Sequence, residues 1–212
     1  MNRARLSKSG IEYLDYQWGI FSGSFEPTFY PEALLSPLSL RTPSRIGVAW
    51  VGDIIGYGMD YKEDIYRIIE ACPQHTFLFL TKNPDNLTHW SPFPSNCWVG
   101  VTATNSDSYK LAKWHLDRID AKVKFLSLEP LLESVGMSPP IGIDWFIIGG
   151  QTKPTRLPQL EWVRDLLYLA DRYSIPVYLK NNLDKLLNPN DNFWAFGLNL
   201  TGGYSIRQEV PE

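Results

Sequence analysis

The chain has only two cysteines in 212 residues, Cys72 and Cys97, and they form no Cys-x-x-Cys pair. That excludes a disulfide framework and a cysteine-built zinc finger. The three histidines, His75, His89 and His115, are scattered, so a zinc site is not expected. No apolar run is long enough to span a bilayer, which leaves membrane embedding unsupported. The opening MNRARLSKSGIEY is basic but no apolar core follows, so it does not read as a secretory signal. A cytoplasmic protein with two buried thiols is the expectation. A Gly-x-Gly-x-x-Gly fingerprint, a P-loop and a Gly-x-Ser-x-Gly elbow are also missing. With them go the usual sequence signatures of dinucleotide binding, P-loop phosphate binding and serine hydrolysis. A surplus of positive charge is lacking too. The formal net charge of -3 does not indicate broad phosphate neutralisation, although a local basic patch keeps nucleic acid open as a partner.

What is present is a regular succession of apolar runs, each ending in a polar or glycine signature. They read RIGVAWVGD (45–53), TFLFLTK (76–82), CWVGVTA (97–103), VKFLSLE (123–129), DWFIIGGQ (144–151) and PVYLK (176–180). Runs apolar on both faces suit buried parallel strands. Helical or polar stretches separate most of them, which predicts right-handed crossovers and an α/β fold. Few strands in a short chain suggest a parallel barrel or partial barrel, with a flat doubly wound sheet as the alternative. One domain over residues 1–212 is expected, with 183–212 a C-terminal extension. Eight Trp contribute to a high aromatic share, read as core and barrel rim.

The helices follow from periodicity and punctuation. Asp60 and Glu63 resemble a capping box, and Ile65, Ile68, Ile69 and Cys72 share a face before Pro73. A second helix starts near Ser106 or Asp107, with Tyr109, Ala112, Leu116 and Ile119 inward and His115 on the surface. A third runs from about Pro158 to Tyr173, carrying Val163, Leu166, Leu167 and Ala170. Pro84, Pro92 and Pro94 keep any helix between Asn83 and Asn96 short. The aromatic segment Glu12–Phe21 predicts a first strand. The proline-punctuated 26–45 predicts irregular structure plus a short helix.

In a parallel barrel the chemistry sits at the carboxyl ends of the strands. Asp53, Lys82, Thr102, Glu129, Gln151 and Lys180 would then converge on one mouth. Glu129 can bind an amine, ligate a cation or shuttle a proton, and Ser127 shares its side of the strand. The plainer alternative for Glu129 is an ion pair with a neighbouring lysine. Lys180 and Lys82 suit phosphate or carboxylate, or a Schiff base if desolvated; otherwise each snorkels to solvent. Gly149 and Gly150 let backbone approach a ligand closely, or form a tight turn that needs positive φ. Asp53 is either a ligand group or the residue that turns the chain out of its strand.

Several runs, taken in order, carry a resemblance. PQHTFLFLTKNP, NCWVGVTATNS, KFLSLEPLLE, GIDWFIIGGQT and PVYLKNN, with SGIEYLDYQWGIFSG and FEPTFYPEAL before them, resemble the phage-associated, three-cysteine radical-SAM-like proteins of uncharacterised function. The resemblance covers most of residues 9–182. It implies a barrel related to radical S-adenosylmethionine enzymes, in which three cysteine thiolates hold a 4Fe-4S cluster and S-adenosylmethionine binds the fourth iron.

The sequence departs from that pattern at the decisive place. The family's first cysteine would follow Ser22-Gly23, where this chain has Ser24, and the segment bearing the other cysteines is missing between about Gly23 and Phe25. Where the resemblance implies Gly-Gly-Glu, the chain has Gly149-Gly150-Gln151.

Three readings stand side by side, all with an unknown substrate. One is a radical-SAM-like enzyme whose cluster and S-adenosylmethionine would depend on a cysteine loop. Another is a non-enzymatic barrel that has lost its cluster and keeps a ligand or partner. The last is a cluster-free enzyme with Glu129 and Lys180 as catalytic groups. In the first, Ser127, Gly149, Gly150 and Gln151 would line the cofactor pocket, with Asp53, Lys82 and Thr102 as further candidates.

Overall fold

The computed structural model describes residues 5–6, 11–13, 29–49, 52–187, 195–198 and 204–211. Gly23, Ser24 and Phe25, where a segment is expected to be missing, lie outside the described residues, as do Trp50 and Val51. The chain divides into two compact units. One comprises 1–99 with 119–122, the other 100–118 with 123–212. The α/β class and the parallel strands are as expected from the sequence.

In the first unit, β1 (Arg5–Leu6) pairs antiparallel with β2 (Ile11–Tyr13). The strand β3 (Arg45–Gly47) lies parallel to β2, and β4 (Thr76–Thr81) lies parallel to β3. The proline-punctuated stretch supplies α1 (Pro31–Leu34) and a 3₁₀ turn over Ser36–Ser39. A short α2 (Ile54–Tyr57) precedes α3 (Lys62–Ala71), and α4 (Leu87–Trp90) is a single turn.

The start of α3 corrects one expectation. Its N-cap is Tyr61 without a side-chain cap, and Asp60 sits in a 3₁₀ turn, Met59–Tyr61. The 3₁₀ turn displaces the helix start by one residue, so Glu63 falls at N2 rather than at the N3 position a box needs. Ile65, Tyr66 and Ile69 are buried, as are Phe77, Leu78, Phe79, Leu87 and Trp90. The Asn96 side-chain amide donates to the carbonyls of Ile69, Cys72 and His75, which closes the end of α3 against the start of β4. His75 is fully buried. Its Nδ1 accepts from Ser44 N–H, so Nε2 carries the proton and faces the Leu40 carbonyl.

The strand β5 (Cys97–Thr102) begins in the first unit and ends in the second. In the second unit its end lies beside β6 (Val123–Leu128), where Ala103 N–H donates to the Ser127 carbonyl. β7 (Trp145–Ile148) is parallel to β6, and β10 (Val177–Leu179) is parallel to β7. Two small hairpins complete the strands: β8 (Gln151–Thr152) with β9 (Thr155–Arg156), and β11 (Phe196–Leu198) with β12 (Tyr204–Ile206).

Among the described residues the α-helices of this unit are α5 (Ser106–Leu116) and α6 (Leu160–Tyr173). Asn105 caps α5. Its Oδ1 accepts from Ser108 N–H at 2.9 Å, and Ser108 Oγ accepts from Asn105 N–H at 3.1 Å. His115 is buried, not on the helix surface, because it lies one turn beyond Ala112 and joins the inward stripe. Gly100 lets β5 approach β6, since a Cβ there would come within 2.2 Å of the Phe125 ring. Among the described residues no helix is long and apolar enough to cross a membrane.

Candidate functional site

The register of the second unit sets where its polar strand ends fall. Leu128 pairs with Ile148 and Leu179 pairs with Ile148, so β6, β7 and β10 finish level. Glu129, Gly149 and Lys180 therefore leave the sheet together. Lys180 Nζ donates to Glu129 Oε2 at 2.5 Å. Their side chains keep 39% and 22% of their exposure, so the pair is half-buried and water reaches it. The ion-pair alternative for Glu129 is thus present in the geometry, at the edge of the unit and not in its packed interior.

Asn182 organises this cluster. Its Nδ2 donates to Glu129 Oε1 at 3.3 Å and to the Gly150 carbonyl at 2.7 Å, while its Oδ1 accepts from Gly150 N–H at 3.1 Å. One amide side chain thereby joins the Glu129 carboxylate to both backbone groups of Gly150. Sequence reasoning passed over it. The signal available was the doubled asparagine that follows Lys180 in PVYLKNN.

The two glycines are explained by crowding, not by handedness. Among the described residues the positive-φ glycines are Gly136 and Gly142, so neither Gly149 nor Gly150 needs a left-handed backbone. A Cβ on Gly149 would stand 3.0 Å from Glu129 Oε1 and 3.1 Å from its Cγ and Cδ. A Cβ on Gly150 would stand 3.2 Å from the Arg156 carbonyl. Gly149 makes the room in which the Glu129 side chain lies.

Other candidates of this unit are placed less centrally. Ser127 is buried within β6 and its carbonyl is committed to Ala103. Gln151 is half-buried at the start of β8, opposite Arg156 in the hairpin. Thr102 is the half-buried last residue of β5.

Asp53 and Lys82 belong to the first unit, where they meet each other. Asp53 Oδ2 accepts from Thr81 Oγ1 at 2.7 Å and from Lys82 N–H at 3.0 Å. Thr81 Oγ1 in turn accepts from Asn83 N–H at 2.9 Å. Only the backbone amide of Lys82 takes part, and its side chain is exposed. Asp53 therefore clamps the turn that follows β4, while its Oδ1 is buried without a hydrogen-bond partner.

Neither cysteine offers a thiolate to iron. Both are free and buried. Burial, with Glu70 adding to it, pushes the Cys97 thiol up to about 12, and burial raises Cys72 as well. A soft-ligand cluster site needs accessible thiolates, three of them in the pattern the sequence resembles. The two cysteines present do not fit a 4Fe-4S cluster.

Over residues 3–185 the chain matches the family described as Protein of unknown function (DUF5131), and it belongs to that family. No curated protein matches it. No solved structure matches it.

Proposed function

We propose that the second unit is a binding site for a small ligand with an ammonium group and an anionic end, on a barrel of radical-SAM-like descent. S-adenosylmethionine, the ligand that the sequence resemblance implies, has both groups in its aminocarboxylate end. Glu129 would accept the ammonium and Lys180 would meet the carboxylate, while the buried Gly149 and Gly150, whose backbone groups are bonded within the protein, would hold Glu129 and Asn182 in place. The observation that carries this reading is the Glu129–Lys180 pair at the level carboxyl ends of β6, β7 and β10. Both charges are already positioned, and both retain contact with water. A ligand of matching charge can exchange for that water with little rearrangement.

No radical step is assigned, because the cysteines do not fit the cluster that such a step requires. The chain is read as a binding protein.

Titration calorimetry tests this with three compounds. S-adenosylmethionine and S-adenosylhomocysteine share the aminocarboxylate and should bind within a few-fold of each other. 5′-Methylthioadenosine lacks it and should bind at least about tenfold more weakly, a difference of about 1.4 kcal/mol. Equal binding of all three, or no binding at about 1 mM ligand, overturns the proposal.

A further inference from the structure

The segment Ile206–Glu209 follows the residues matched to the family and lies along the open edge of β10. Leu179 N–H donates to the Arg207 carbonyl at 2.8 Å, and Glu209 N–H donates to the Val177 carbonyl at 2.9 Å. Tyr178 and Gln208 face each other as an antiparallel bridge. Side chains fasten the segment further. Arg207 pairs with Asp171 on α6 at 2.8 Å and with Glu209 at 2.9 Å. Glu209 Oε2 accepts from Val177 N–H, and the Glu209 carbonyl accepts from Trp145 Nε1.

Edge protection alone would need only the backbone ladder. Gln208 does something else. Its Nε2 donates to Asn181 Oδ1 at 2.7 Å and to the Leu179 carbonyl at 3.1 Å. Asn181 stands between Lys180 and Asn182, the two residues that hold Glu129.

We propose that this C-terminal strap regulates the site. Docked on β10, it fixes the Lys180–Asn182 turn through Gln208, and its release loosens the grip on Glu129 and on any ligand there. Gln208 is a positioning residue: it touches Asn181, not the ligand. The proposal rests on the binding reading given above for its consequence, and on the strap's own contacts for its cause.

Two variants and two readouts test it. Gln208→Ala removes the Asn181 tie and leaves the backbone ladder in place, while Arg207→Ala weakens the whole strap. Hydrogen exchange is followed at Leu183 and Asp184, whose amides donate to the Lys180 and Asn181 carbonyls. Exchange there should rise about tenfold in Gln208→Ala, while Leu179, which donates to Arg207, stays protected. In Arg207→Ala the Leu179 amide should speed up as well.

S-adenosylmethionine affinity should fall about five- to tenfold in Gln208→Ala. Unchanged exchange at Leu183 and Asp184 in Gln208→Ala overturns the proposal. So does faster exchange with undiminished affinity. Should the wild-type chain bind no S-adenosylmethionine, the binding reading falls, and the exchange data alone decide whether the strap holds the turn. Should Arg207→Ala exchange everywhere at once, Gln208→Ala still gives the answer.

Discussion

Replacing Glu129 by alanine is expected to disable the site while the fold survives, and the geometry sets the size of both effects. The Glu129 and Lys180 side chains are 22% and 39% exposed, so solvent screens their attraction. That places the pair near the exposed range of about 0.2–1 kcal/mol, well short of the 3–5 kcal/mol of a fully buried charge left alone. Lys180 can turn to water when Glu129 is gone. Asn182 loses its 3.3 Å contact but keeps both bonds to Gly150. A loss of about 1 kcal/mol corresponds to a melting temperature lower by about 2–4 °C in a chain of this size.

Ligand binding should respond far more. A hydrogen bond to a charged group is worth about 1.5–3 kcal/mol, which is about 10- to 150-fold in affinity. Scanning fluorimetry and titration calorimetry on Glu129→Ala, Lys180→Met and the double variant separate the two effects. If Glu129 and Lys180 act on one ligand, the double variant should bind about as weakly as the worse single one. A melting temperature lower by about 10 °C or more, together with wild-type affinity, would refute the reasoning. Glu129 and Lys180 would then be an internal brace of the second unit.

Three further outcomes are expected. Gly149→Ala should lower ligand affinity by about tenfold or more with a small change in melting temperature, because its Cβ would stand 3.0 Å from Glu129 Oε1 and force that side chain to move; calorimetry of Gly149→Ala against Gly150→Ala checks it. Asn105→Ala should destabilise the chain by about 1 kcal/mol in urea unfolding, since Ser108 N–H loses its cap. Cys97 should resist thiol reagents at pH 8 in the folded chain. Its thiol ionises near 12 when folded against an ordinary 9.0, so the unfolded state loses its proton first as pH rises. Stability is therefore intact below about pH 9 and falls above it, by up to about 1.4 kcal/mol per pH unit from this group. Urea titrations at pH 8, 9 and 10 should show a shallower fall in Cys97→Ala.

Much of this architecture is legible in the sequence because strands buried on both faces leave unmistakable runs. FLFLT and FLSL announce β4 and β6, and the polar residue after each run falls at the strand end. What periodicity misses has local causes. His115 looked like a surface residue because the stripe was drawn through Tyr109, Ala112, Leu116 and Ile119, yet a position three after Ala112 belongs to the same face. The predicted cap at Asp60 failed because a 3₁₀ turn consumed the residues that a capping box needs. The antiparallel β1 went unforeseen, since Arg5–Leu6 is too short to show a period.

The site itself is half legible for a different reason. Residue type and strand position single out Glu129 and Lys180, but neither tells what fixes them. Asn182 and Gln208 act across 53 and 27 residues of chain, through side-chain amides that leave no periodic trace. The glycines make the same point. From sequence, Gly149-Gly150 suggests a turn that needs positive φ or a surface open to ligand. The backbone needs no positive φ there, and Gly149 is glycine because the Glu129 side chain occupies the space a methyl group would take. That links the two motifs, FLSLE and FIIGG, into one requirement. Glu129 can lie over β7 only while residue 149 has no side chain, so a larger residue at 149 should be tolerated again once Glu129 is shortened. Gly149→Ala paired with Glu129→Asp should therefore melt closer to the wild type than the two separate losses would add up to, and strictly additive losses would show that the two positions do not share that space.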